Sequence, residues 1–212
     1  MRAFFKVPEC FFADSNLRYR MRYEVIIDSG ETPNKCTIAP LAYRPDFCLI
    51  PTKGKKVLGP LKSSILLHPH GECLTTLVQP LGGAHGIASI DCVWRRLEPL
   101  LRKIEGPLPR LARIPAGFLT AYPRHSAKKT DPAVGLATIE AIFVAAAILG
   151  NWDVTLFSQY YFGRKFVEMN VSRFLELGIH QAADPQAMPV LAPRTRTSLQ
   201  RRADRGKFIG ET

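Results

Sequence analysis

The sequence predicts an α/β fold in which a mainly parallel sheet is covered by helices. Three observations lead there. Short apolar runs alternate with longer connections along the chain. The run from Ile87 to Asp91 reads as a buried strand that passes straight into a helical pattern at Trp94, with Leu97, Leu101 and Ile104 on one stripe. Thr138 to Leu149 is almost wholly apolar, as a fully buried helix is. A chain of 212 residues supports one complete core and is short for two.

Residues 1–21 hold two Phe-Phe pairs and an Arg-rich end without a clear period, and we take them as an N-terminal arm. The domain is expected over 22–180. Tyr23 to Ile27 reads as its first strand, followed by a turn-rich loop in which Thr37 is placed to offer its hydroxyl. Phe47 to Ile50 reads as a short strand and Lys53 to Lys56 as a basic turn. Ser64 to His68 reads as a buried strand ending in a turn at His68-Pro-His-Gly71. After the Trp94 helix, Gly106 to Pro109 is a stop and Ala116 to Ala121 a further buried strand. Tyr122 to Gly135 is a long irregular loop, of a length that compact domains keep for function. Gly150 stops the apolar helix. A last helix is read from Phe166, Met169, Asn170, Arg173, Phe174 and Leu177 on one face. Residues 181–212 form a basic tail.

Asp91 and Trp94 stand out because ligands of open α/β sheets bind outside the C-terminal ends of the strands. The alternative is a helix-start aspartate followed by a core tryptophan. Gly82-Gly-Ala-His-Gly86 precedes a strand, whereas a dinucleotide-binding glycine loop follows one, so a Rossmann nucleotide site is excluded. Glu140 falls in the first turn of its helix, where a carboxylate complements the dipole, and a structural role is preferred to a catalytic one. His68, His70 and Cys73 are read as turn and core residues, with no metal site. Five scattered cysteines without a C-x-x-C pair give neither a disulfide framework nor a zinc site and suit a cytoplasmic protein. No apolar stretch is long enough to span a membrane. Lys and Arg outnumber Asp and Glu by 29 to 18, a net charge of +11 that suits a polyanionic partner such as nucleic acid.

Lys35-Cys-Thr37, Ile90-Asp-Cys-x-Trp94, Ile114-Pro115, Leu136-x-Thr-x-Glu-Ala141 and Phe162-Gly-x-x-Phe-x-Glu-Met-Asn170 occur in an order that resembles one family. It is the small-subunit ribosomal RNA aminocarboxypropyltransferases, and the resemblance spans residues 34–170. It implies a SPOUT-like fold with a C-terminal trefoil knot that takes in 106–113, 122–135 and the last helix. It also implies transfer of the 3-amino-3-carboxypropyl group of S-adenosylmethionine to a uridine-type base of small-subunit rRNA or a pre-ribosomal particle, by a monomer. By position, Asp91 matches the aspartate at the reaction centre, and Thr37, Trp94, Ile114, Val134 and Thr138 match positions that contact S-adenosylmethionine. The chain departs from the family in the segment before Lys35 and at Tyr122-Pro-Arg-His-Ser. Related possibilities are a tRNA uridine aminocarboxypropyltransferase, a SPOUT-class RNA methyltransferase, and a non-enzymatic RNA-binding assembly factor.

Overall fold

The computed structural model describes residues 21–30, 36–81, 86–123 and 135–188. Among them five strands form one parallel sheet: β1 (Arg22–Ile27), β2 (Phe47–Pro51), β3 (Ile65–Cys73), β4 (Gly86–Asp91) and β5 (Arg110–Arg113). Their order across the sheet is β2-β1-β4-β3-β5. Helix α1 (Leu74–Leu81) joins β3 to β4, α2 (Leu97–Leu101) joins β4 to β5, and α3 (Thr138–Ile148) and α4 (Gly163–Glu176) follow.

Alternating side chains build two cores because successive strand residues point to opposite faces. Tyr23, Val25, Ile65 and Ile87 pack in one cluster with Leu74 and Leu77 of α1, Ile142 and Phe143 of α3, and Phe166 and Phe174 of α4. Ala182 and Met188 belong to the same cluster, so packing continues past residue 180. Ile26, Leu66, Ala88 and Ile90 face the other way, against Leu97 and Leu100 of α2 and Leu58, Leu61 and Ile104. Both faces of the sheet are covered, which is why β4 is buried at every position. Glu24 is a buried charged side chain of β1 on the face of this second layer. Its Oε2 accepts from the Lys62 and Ser63 amides and the Ser63 hydroxyl at 2.6–2.8 Å, which fixes the entry to β3.

Four expectations from the sequence are corrected. The fifth strand is Arg110–Arg113, not Ala116 to Ala121. The Ala116 to Ala121 run buries Phe118 and Ala121 from a loop that turns at Gly117 with φ +99°, where any Cβ would also press on the Arg173 side chain. Second, His68 to Gly71 does not end its strand. Leu67 and Glu72 both pair with Ala112, so these residues are an outward excursion inside β3. Third, Trp94–Arg96 is a single 3-10 turn and α2 proper is only five residues long, with Pro99 inside it. Fourth, in α4, Met169 is exposed and Val167 takes its place in the buried stripe.

Candidate active site

Connections from β1 and β4 set the site. The chain leaving β1 runs outward to β2, while the chain leaving β4 runs the opposite way, past β3 to β5. The C-terminal ends of these two neighbours therefore flank a topological switch point, the crevice where α/β sheets bind ligands. Ile27 pairs with Asp91 across it, and the Asp28 amide donates to the Asp91 carbonyl at 3.0 Å.

Asp91 is 8% exposed. Its Oδ1 accepts from the Thr138 hydroxyl at 2.6 Å and its Oδ2 from the Cys36 thiol at 2.8 Å. Three distant segments thus meet on one carboxylate: the loop after β1, the end of β4 and the first turn of α3. The positive end of the α3 dipole also favours an anion here. Burial, then the charge of Asp91 and the hydrogen bond to it, push the Cys36 thiol up to about 12, so Cys36 is a protonated donor at neutral pH. Both donors on Asp91 are neutral, and among the described residues no Lys, Arg or His lies within ion-pair distance of it.

Asp28 contrasts with this. It is equally buried, yet Arg96 Nε sits 2.7 Å from its Oδ2. The switch point therefore holds two carboxylates, one paired with a guanidinium and one with no cationic partner among the described residues. A buried carboxylate without a cation among the described residues is a natural counter-charge for a cationic ligand.

Neither plain alternative for Asp91 and Trp94 describes the structure. The residue preceding the 3-10 turn is Val93, without a side-chain cap, so Asp91 caps no helix. Trp94 is partly exposed and belongs to neither core cluster. Thr37 is partly buried beside Cys36, and Ile114 leaves β5 partly buried against the α3/α4 core. Val134 lies outside the described residues, as do Arg124 to Lys129. The structure therefore brings Asp91, Thr138 and Cys36 into contact, with Thr37 and Trp94 adjoining by chain. Sequence reading missed Asp28, Arg96 and the bonding role of Cys36. An acid directly after the first apolar run was the available signal for Asp28.

Glu140 has the structural role expected of it. Fully buried, it accepts from the Thr120 and Tyr160 hydroxyls and the Ala121 and Ala137 amides at 2.6–2.9 Å. Asn170 holds the same loop from α4, pairing with both the amide and the carbonyl of Leu119. His68 Nδ1 accepts from the His70 amide, so its Nε2 carries the proton and donates to Glu98 at 3.0 Å. No helix among the described residues is long and apolar enough to cross a membrane.

The chain is an α/β protein whose parallel sheet carries a buried carboxylate at the switch point of its strand order. The chain matches no family model, and no curated protein matches it. Among solved structures, it is similar to the SAM-dependent rRNA:acp-transferase Tsr3 from Vulcanisaeta distributa, with a TM-score of 0.53 and 23% identity over 76% of this chain and 83% of that one. The likeness is one of fold.

Proposed function

We propose that this protein transfers the 3-amino-3-carboxypropyl group of S-adenosylmethionine to a uridine-type base of small-subunit rRNA during ribosome biogenesis. The observation that carries this is Asp91: a buried carboxylate with no cationic partner among the described residues, set at the switch point of a fold similar to an rRNA:acp-transferase. The motif resemblance read from the sequence supports the same class.

S-adenosylmethionine supplies a sulfonium whose bond to the side-chain carbon breaks as a base nitrogen bonds to that carbon, releasing methylthioadenosine and the proton of the nitrogen. Asp91 presents its charge toward the sulfonium, and the lone pairs not used by Cys36 and Thr138 remain for the departing proton. Trp94 offers an aromatic face to the cation and walls the methionine side chain. Thr37, Ile114, Val134 and Thr138 hold the rest of the co-substrate, which fixes the reacting carbon in line with the incoming base. Because Cys36 and Thr138 anchor Asp91 from both sides, its position is set before any ligand arrives. A SPOUT-type C-terminal knot, a monomeric state and a cytoplasmic site of action belong to the same proposal.

The test uses two preparations of S-adenosylmethionine, labelled in the methyl or in the carboxyl group, with RNA from cells lacking the protein as acceptor. Carboxyl label alone should reach RNA, with methylthioadenosine accumulating. Methyl label in RNA with S-adenosylhomocysteine as product would make the protein a methyltransferase instead. A folded protein that binds no co-substrate would leave the assembly-factor role.

A further inference from the structure

The α2 side of the sheet carries positive charge that forms no ion pairs among the described residues, and the chain path joins that charge to the mouth of the site. The turn after β2 is fixed beside the end of β1. The Thr52 amide donates to the Ile27 carbonyl at 3.0 Å, and Thr52 Oγ1 accepts from the Ser29 amide at 2.9 Å. From that turn Lys53, Lys55 and Lys56 stand exposed. Leu58 then bridges to Ile104, its amide donating to the Lys103 carbonyl at 2.8 Å and its carbonyl accepting from Glu105 at 2.9 Å. Arg102 and Lys103 are thereby drawn alongside the same segment, and exposed Arg95 extends the group back to Trp94.

None of these six cations has a carboxylate within ion-pair distance among the described residues. Of the nearby acids, Glu98 is bonded to His68 and Glu105 is exposed. Helix α4, on the other face, pairs two of its three cations: Arg164 with Glu168 and Arg173 with Glu176. Like charges gathered without counter-charge repel one another and weaken the fold slightly, so the arrangement suits a partner that supplies the negative charge. Arg96 sharpens the point. Buried Asp28 fixes its Nε, while the side chain is 44% exposed and its Nη groups have no bonded partner among the described residues. An arginine so held presents a pre-set fork to an oxyanion at the mouth.

We propose that this strip is the phosphate track for the RNA strand flanking the modified base, running from the Lys53–Lys56 turn and Arg96 at the mouth to Arg102 and Lys103. The proposal rests on the rRNA reading above. A base must enter at the switch point, and a nucleic-acid strand is the polyanion that carries bases past such a strip. Contacts to phosphate position the strand without reading its sequence.

The experiment measures binding of the full chain to single-stranded poly(U) and to a small-subunit rRNA transcript by anisotropy across a range of KCl concentrations. Each phosphate contact on a single strand contributes about 0.7 to the slope of log affinity against log salt. The Lys53→Gln/Lys55→Gln/Lys56→Gln variant should lose about 2 from that slope, and Arg102→Gln/Lys103→Gln roughly 1.4. Arg164→Gln/Lys165→Gln on α4 should leave it unchanged, and all three should keep the wild-type thermal shift with S-adenosylmethionine. Unchanged slopes in the first two variants, or an equal loss in the α4 variant, would overturn the track while leaving the transferase reading in place. A wild-type chain that binds neither RNA would overturn both.

Discussion

Asp91 ends β4, Asp28 directly follows β1, and the two carboxylates have different partners. Arg96 pairs with Asp28, whereas among the described residues Asp91 receives a thiol and a hydroxyl. Asp91→Asn keeps the shape but turns one acceptor into a donor facing Cys36 or Thr138, a cost of about 1–2 kcal/mol. Single-turnover transfer should slow by roughly 10²-fold, since both the field at the sulfonium and the basicity are lost; an unchanged rate would make Asp91 purely structural. Cys36 gives a pH signature. Its thiol lies near 9 in the unfolded chain and about 12 in the fold, so the native state holds the proton more tightly. That stability is complete below pH 9 and is lost as pH rises from 9 toward 12. Burial first, then the charge of Asp153, raises Tyr23 as well, and its contribution falls in the same direction. Comparing urea midpoints at pH 8 and 10.5 for wild type and Cys36→Ser isolates the thiol, and the wild type should lose more. The place of Asp91 and Trp94 at a strand end was legible in the sequence because an apolar run visibly stops there. Asp28 was not, because its significance lies in the β1–β4 register, which one sequence does not display.

Elements with strong periodicity or uniform burial were readable, and those fixed by long-range contacts were not. Thr138–Ile148 follows from composition alone, since an all-apolar helix has to lie inside. β5 did not, because Arg110 and Arg113 are exposed and make a short edge strand look like a loop, while the apolar Ala116 to Ala121 run mimics a strand. That run is a loop because Glu140 and Asn170 satisfy its backbone in place of a ladder. Helix α1 was missed as well: it is eight residues long, with Thr75, Thr76 and Pro80 among them. Glu140→Gln puts an amide where four donors converge and should cost about 2–4 kcal/mol, read from denaturant midpoints. A loss below about 0.5 kcal/mol would show that water replaces those bonds. At the start of α4, a Cβ on Gly163 would stand 2.5 Å from the Phe157 side chain. Gly163→Ala should therefore destabilise by about 1–3 kcal/mol through overpacking, although alanine is the better helix former.

At the scale of the whole molecule, the fold class was legible and the strand order was not. Alternating strands and connections give a covered parallel sheet, but β1 and β4 become neighbours only through pairing between distant segments. That pairing makes the site a junction of residues 36, 91 and 138, which exists only in the folded chain. A ligand bound there stabilises the native state alone, by about 2.7 kcal/mol at a hundred times its Kd. For a chain of this size that corresponds to a rise of roughly 5–10 °C in Tm. The sulfonium charge makes the expectation more specific. S-adenosylhomocysteine has nearly the same shape as S-adenosylmethionine but lacks the sulfonium charge, so Asp91, without a cationic partner among the described residues, should make the shift with S-adenosylmethionine the larger of the two. In Asp91→Asn the difference between the two ligands should shrink toward zero, while part of the common shift survives through Trp94 and the other contacts. Differential scanning fluorimetry with both ligands on both proteins decides it. Equal shifts in the wild type would show that the carboxylate does not face the sulfonium, and no shift with either ligand would remove the co-substrate from the switch point altogether.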